Sequence, residues 1–327
     1  VLDFLWLVVS LGVILGGCEV FTNGIEWTGK KLKFAEGVVG SLMAAVGTAL
    51  PETLIPVIAI LFHTEASSHQ VGIGAIAGAP FMLSTLTLFV MACAVYYYKG
   101  RRQHRDHLSL DSTVIGRDMA FFLMTYPVAI GVGLFHQQAI KWFVVAYLLG
   151  IYLYYVYLTL KADGDVHHDV NPLHFARNHH DPHLHIIGLQ VIAGLALIVG
   201  GAHFFVKSVA NVAPILNISP LVLSMIITPV ATELPEKLNS VIWVRRGKDT
   251  MALGNITGAL VFQSCFPVAI GIAFTPWEIE GVTLVSAFLA IGSILYHYLW
   301  LKARGSLSTR GLLLSGFFYL IFLFFAF

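Results

Sequence analysis

The chain has 327 residues, 57% apolar and 11% charged, with a mean hydropathy of +0.80 and a formal net charge of +1. That balance is too oily for a water-soluble domain of this length, and no nucleic-acid partner is expected of it. The three cysteines, Cys18, Cys93 and Cys265, lie inside apolar runs, share no metal-ligand spacing and read as small core residues, silent on redox compartment.

Taken in chain order, apolar runs long enough to cross a bilayer occupy 2–27, 34–62, 70–98, 118–135, 140–160, 186–214, 219–244, 251–274, 279–301 and 311–327. Val1 opens the chain with no cleavable signal sequence in view, so a trimmed native terminus is expected. With ten spans, the loops after the odd-numbered ones share a side. Sixteen lysines and arginines fall there, from Lys30 and Lys31 through Arg101, Arg102 and Arg177 to Arg304 and Arg310; the other side holds Lys141 alone. By the positive-inside rule the basic loops are cytoplasmic and both termini lie outside, most simply in a plasma or inner membrane. The polar stretch 162–185 joins residues 1–161 to residues 186–327 and holds seven histidines: His167, His168, His174, His179, His180, His183 and His185. It reads as a solvated, loosely ordered cytoplasmic hinge, with transition-metal binding as the alternative.

One short pattern occurs twice, 184 residues apart: Gly47-Thr48-Ala49-Leu50-Pro51-Glu52 and Ala231-Thr232-Glu233-Leu234-Pro235-Glu236. Aligned without gaps, 33–60 and 217–244 share nine identities in 28 positions. The same offset carries Gly16 and Gly17 onto Gly200 and Gly201, and in the next span Gly74 and Gly78 match Gly254 and Gly258 after a four-residue deletion. Each half has five spans, so the second half enters the membrane from the opposite face. The expected fold is an all-α membrane protein of ten transmembrane helices, arranged as two inverted five-helix repeats with helices 2 and 7 broken at the prolines.

The motif has a chemical logic. A carboxylate at bilayer depth is costly and marks a functional site. Proline removes a backbone N–H and disturbs the preceding turn, releasing carbonyls that lipid tolerates only around a cavity or an ion. Thr48 and Thr232 precede Glu52 and Glu236 by four residues, so hydroxyl, carbonyl and carboxylate can converge. A hard divalent cation such as Ca2+ takes six to eight oxygens of these kinds. When it leaves, desolvation and mutual repulsion of two carboxylates favour proton uptake in its place. No resident cofactor is implied; the metal is cargo.

At these residues the chain resembles the sodium/calcium exchanger (cation/Ca2+ antiporter) superfamily. Its two proline–glutamate segments look like that family's alpha-repeats, and Gly254-Asn255-Ile256-Thr257-Gly258 looks like the start of the following helix. The resemblance implies that Glu52 and Glu236 are the central Ca2+ ligands, with Thr48 and Thr232 beside them. It also implies that the first and sixth helices slide to give alternating access. The chain departs from the pattern too. Ala49 and Glu233 stand where Na+-coupled relatives usually have Ser, Ala79 and Ala259 replace Ser in the next helix, and Leu83 and Gln263 replace Asn or Asp one turn later. Most oxygens for several Na+ ions are thereby missing and a carboxylate is added, so the counter-ion expected is H+ before Na+.

Several residues keep two readings. Glu233 is either a third ligand or neutralised by Lys237, four residues on; Lys237 could otherwise act as a tethered cation in the empty site. Glu19 and His203 are repeat equivalents on the two sliding helices, and a contact between them would carry or sense protons, or simply pack. Lys207 snorkels or pairs, and Glu26 and Glu36 read as interfacial. The transported ion could equally be Mn2+, Mg2+ or a monovalent cation on the same fold. A membrane metalloenzyme built on the His-rich linker is the reading from a different class. Oligomeric state is not legible.

Overall fold

The computed structural model describes residues 2–32, 44–101, 108, 110–135, 138–162, 171–177 and 181–327; at 44–51, 101, 138, 162, 231 and 234–239 only the backbone is described. Among the described residues ten long helices appear: α1 (Leu2–Lys31), α2 (Ala44–Leu61), α3 (Ala66–Tyr97), α4 (Ser112–Leu134) and α5 (Lys141–Ala162), then α6 (Leu184–Ile215), α7 (Pro220–Arg245), α8 (Asp249–Phe274), α9 (Gly281–Arg304) and α10 (Thr309–Ala326). They coincide with the ten apolar runs, with α4 starting earlier than expected at Ser112. Asp111 explains that start: its Oδ1 accepts the Thr113 and Val114 N–H groups at 2.9 and 3.3 Å, the N-cap arrangement that satisfies orphan donors. Ser308 caps α10 the same way, and Gly305, at φ +68°, ends α9 in the left-handed conformation.

By length and composition eight of these helices can cross a membrane. Within α2 and α7 the apolar stretches found among the described residues are shorter, Glu52–Leu61 and Pro220–Val230. The expected break in the second motif helix is not there: α7 is continuous for 26 residues through both Pro229 and Pro235. α2 is likewise continuous from Ala44 through Pro51, and 33–43 lie outside the described residues. A proline deletes one helical hydrogen bond and crowds one carbonyl; the intact turns on either side hold the helix together.

The chain divides into two compact units, each drawing on both sequence halves. The first comprises Val1–Gly72 and Leu153–Pro220, the second Ile73–Tyr152 and Leu221–Phe327.

In the first unit α1 and α6 pack antiparallel along a seam of glycines. A methyl on Gly194 would stand 2.7 Å from the Phe21 nitrogen, one on Gly17 3.0 Å from the Ile198 nitrogen, and one on Gly201 3.2 Å from the Ile14 nitrogen. Gly24 meets Val191 in the same register. The glycines recur seven apart on each helix, which keeps one narrow stripe facing the partner and lets the backbones close in without side chains between them.

In the second unit the helix contacts are more polar. Gly74 and Gly78 of α3 admit the α7 backbone, since a methyl on either would lie 2.3 Å from the Leu221 or Met225 carbonyl oxygen. Further along, α3 contains a π-helical turn, Leu83–Thr87. Ser293 of α9 donates to the Ser84 carbonyl inside that turn at 2.6 Å. α4 and α8 are joined by a ladder: Thr257 Oγ1 donates to Asp118 Oδ2 at 2.7 Å, and the hydroxyls of Thr125 and Ser264 meet at 3.1 Å. Both rungs are 139 residues apart in sequence, so the two helices run parallel in fixed register.

Candidate cation site

Within the first unit, Glu52 sits on α2 directly after Pro51 and is 7% exposed; its Oε1 is shut off from solvent. Thr53, Ile55 and Ile58 beside it are buried too, so the carboxylate is carried by an inward-facing stretch of helix. Thr48 lies one turn earlier on the same helix, where only the backbone is described.

Within the second unit, Glu233 of α7 is 0% exposed, with both carboxylate oxygens buried. Its neighbour Thr232 is buried and donates its hydroxyl hydrogen to the Thr228 carbonyl at 3.1 Å, which leaves the oxygen lone pairs to face an acceptor-seeking ion. Thr228 in turn shares a 2.9 Å hydrogen bond with Ser224. Ser224, Thr228, Thr232, Glu236 and Ser240 recur every four residues, so α7 carries one oxygen-bearing row. Sequence reasoning found Thr232 and Glu236 but missed the rest of the row; the i+4 spacing was the available signal. The side chains of Glu236 and Lys237 lie outside the described residues, so the suggested Glu233–Lys237 pairing does too. Gln263, on α8, is buried at 1% exposure, four residues before Pro267, which has no N–H to offer its carbonyl. In the first half the equivalent turn is the π-helical segment at Leu83–Thr87. Both halves thus loosen the helix at the same repeat position, a feature common at functional sites.

Sequence reasoning also missed Asp118, a buried carboxylate on α4 that touches Arg117 at 3.4 Å as well as Thr257. An aspartate at the edge of an apolar run was the only clue, and it was assigned to the boundary.

The expected Glu19–His203 contact does not form. In the α1–α6 register Gly17 meets Ile198 and Ile14 meets Gly201, so His203 falls beyond Ile14, about 10 Å along the helix from Glu19 at 1.5 Å per residue. Glu19 is exposed and faces His174 of the linker at 3.6 Å. His203 instead stacks on His63, ring centroids 4.6 Å apart. His63 is held below the ordinary histidine value chiefly by burial and then by His203, with Lys207 adding to the effect and Glu65 opposing it.

The described linker residues 171–177 are docked, against the loosely ordered hinge expected; 163–170 and 178–180 lie outside the described residues. Leu173 and Ala176 are buried and pack with Trp27 and Ile187. The reason is apolar content inside a polar stretch: two buried side chains and main-chain hydrogen bonds are enough to dock it. His167, His168, His179 and His180 lie outside the described residues. Among the described ones, no three His, Cys, Asp or Glu side chains stand together as a metal would need.

Known proteins agree with this architecture. A membrane protein of Methanocaldococcus jannaschii is 24% identical over 293 residues, covering 88% of this chain and 87% of that one. The inner membrane protein YrbG of Escherichia coli is 22% identical over 285 residues, covering 85% and 83%. Among solved structures, an H+/Ca2+ exchanger, CAX, superimposes with a TM-score of 0.74 at 16% identity, over 99% of this chain and 82% of that one. The sodium–calcium exchanger NCX_Mj does so with a TM-score of 0.58 at 21% identity, over 98% and 97%. These likenesses establish the fold, an all-helical exchanger fold with multiple membrane spans. The metalloenzyme reading falls to the family match, because the family matched is one of ion exchangers. The family model for sodium/calcium exchanger proteins matches residues 2–161 and 186–327, and the chain belongs to that family of membrane cation exchangers.

Proposed function

We propose that the chain is an alternating-access antiporter exchanging Ca2+, or a divalent cation of similar chemistry, for H+, with Glu52 and Glu236 as the principal ligands. Thr48, Thr232, Glu233 and Gln263 supply further oxygens. The observation that carries this reading is the donor set. Three carboxylates occupy the motif positions, and alanine or leucine stands at Ala49, Ala79, Leu83 and Ala259, where hydroxyls and amides would hold several Na+ ions. Two carboxylates neutralise a divalent ion, and in its absence protons are the cheapest way to neutralise them. The oxygen row on α7, buried at Ser224, Thr228 and Thr232, supports a path for partly dehydrated ions along that helix. Ca2+ is the first cation to test because both solved exchangers of this fold handle it by name. The two five-helix repeats, 1–161 and 186–327, are read as inverted copies, with the basic loops cytoplasmic and both termini outside.

The test is Ca2+ flux in proteoliposomes under an imposed pH gradient and then under an Na+ gradient. Flux driven by the pH gradient, and lost in both Glu52→Gln and Glu236→Gln, is the expected result. Flux driven by Na+ alone would overturn proton coupling. No Ca2+ flux under either gradient would leave the fold intact and turn the question to Mn2+, Mg2+ or monovalent cations.

A further inference from the structure

Two buried amides on membrane helices take no part in the proposed cation site: Asn23 of α1, 6% exposed, and Gln190 of α6, 0% exposed. They are bonded to each other and to the linker. Gln190 Nε2 donates to Asn23 Oδ1 and to the Val20 carbonyl, each at 2.9 Å. Its Oε1 accepts the Phe175 N–H at 2.9 Å. Asn23 Oδ1 also accepts the His174 N–H at 3.1 Å, and its Nδ2 donates to the Asn171 carbonyl at 3.2 Å. Trp27 Nε1 donates to that same carbonyl at 2.8 Å.

The two helices therefore read three main-chain groups of one short linker segment. Leu173 and Ala176 fill the apolar gap against Trp27 and Ile187, and Lys31 pairs with Asp181 just beyond. Without the segment, Asn23 Nδ2 and Gln190 Oε1 would lose the bonds described above, while the Gln190–Asn23 bond would remain. A membrane helix keeps such residues only where they are satisfied. The family match leaves out 162–185, so this docking lies outside what relatives share through that match.

We infer that Asn171–Ala176 is a strap, that Asn23, Trp27 and Gln190 form its socket, and that the strap fastens the linker-side ends of α1 and α6 so that the pair behaves as one body. The glycine seam offers close contact along most of its length. Polar fastenings stand at both ends: Asn211 to Asp3 at one, and the strap with the Gln190–Asn23 bond at the other. The consequence for transport rests on the exchange function proposed above: a pair that moves between two access states must keep its internal register while it moves.

Amide hydrogen exchange on the full chain in nanodiscs tests the strap without relying on transport. Two variants are needed, one replacing residues 171–176 by glycine and serine at equal length, the other Asn23→Leu with Gln190→Leu. In the wild type the His174, Phe175 and Ala176 amides should exchange slowly. They should accelerate about tenfold or more in the double-leucine variant, as expected for losing one or two hydrogen bonds. The glycine–serine variant should loosen the 24–32 end of α1 while the α4 peptide around Asp118 stays unchanged. Strap amides that exchange as fast as a free peptide in the wild type would overturn the proposal, as would an α1 end indifferent to the replacement. In proteoliposomes the same variant should lose several-fold in turnover at unchanged half-saturating cation concentration. Unchanged turnover would overturn the role in transport. Absence of flux in the wild type would count against the exchange reading instead, and leave the hydrogen-exchange result to decide the strap.

Discussion

Two helix pairs, one in each compact unit, solve the same problem by opposite means. α1 and α6 meet through glycines at seven-residue spacing, with polar fastenings at their ends. α4 and α8 meet through hydrogen bonds set inside the membrane-spanning stretch, Asp118 with Thr257 and Thr125 with Ser264. Their surroundings differ accordingly. The most apolar stretches of α1 and α6 are each 28% buried, against 67% for α8. A helix pair with most of its surface open gains from bonds that need no polar group facing lipid, which close backbone packing provides. Helices enclosed on most sides can carry polar rungs, because each rung is shielded and fixes register at one defined point. The first pair is built to hold together while its outer surface stays uniform and apolar; the second is built to stay in place.

The sharpest way to break the contrast is at the polar ladder. Thr257→Val removes a donor from the buried Asp118 carboxylate and should cost about 1.5–3 kcal/mol, the worth of a hydrogen bond to a charged group. Thermal unfolding in detergent reads it, and a melting temperature within error of the wild type would mean that Asp118 is satisfied without Thr257.

The glycine seam should be nearly as sensitive, for a steric reason. Gly194→Ala places a methyl 2.7 Å from the Phe21 main chain, which cannot rotate away, so overpacking of about 1–3 kcal/mol is expected. Gly200→Ala on the same helix meets nothing within 4 Å and should be neutral. Equal melting temperatures for these two variants would show that the seam is not close-packed.

A smaller loss, about 0.6 kcal/mol, is expected for Thr125→Val, near the average for side-chain hydrogen bonds between membrane helices. Ser264 keeps its own bond to the Val261 carbonyl in that variant, so no buried hydroxyl is stranded. The comparison with Thr257→Val separates the charged rung from the neutral one.

The least effect should come from the His63–His203 stack, and only in acid. A histidine whose folded pKa lies below its unfolded value of 6.5 binds a proton more readily when unfolded. Its contribution is therefore fully present above pH 6.5 and is lost as the pH falls from there through the folded value. His63→Phe retains an aromatic face and no charge, so its stability should vary less between pH 7.5 and 5.5 (values about one unit either side of the unperturbed histidine pKa). Identical pH profiles for variant and wild type would remove His63 from the pH response.

Much of this was legible in the sequence, for reasons that particular residues make plain. The ten helices follow from apolar runs whose length is set by the bilayer, and Asp111, Gly305 and Ser308 mark helix ends by local chemistry alone. The carboxylate–proline motif at Glu52 and Glu236 stands out because a charge in lipid is expensive enough to be rare. Buried Glu233 was visible for the same reason. Asp118 escaped notice because its burial depends on where α4 begins, and the Asp111 cap, well before the apparent hydrophobic run, moved that start. The docking of 171–177 was missed because histidines dominate the linker's composition, whereas that docking depends on Leu173, Ala176 and main-chain groups that composition does not weigh.

The Glu19–His203 pairing failed for a different reason. Repeat equivalence says that two residues occupy matching places, not that they meet; antiparallel register put His174 beside Glu19 and His63 beside His203. The sequence by itself determined the membrane class, the long helices and the repeated acidic motif, because each is enforced by local burial cost. Register, the docked linker and the α4–α8 ladder were decided only by tertiary structure, because each depends on which surfaces, distant in sequence, pack closely enough to share a hydrogen bond.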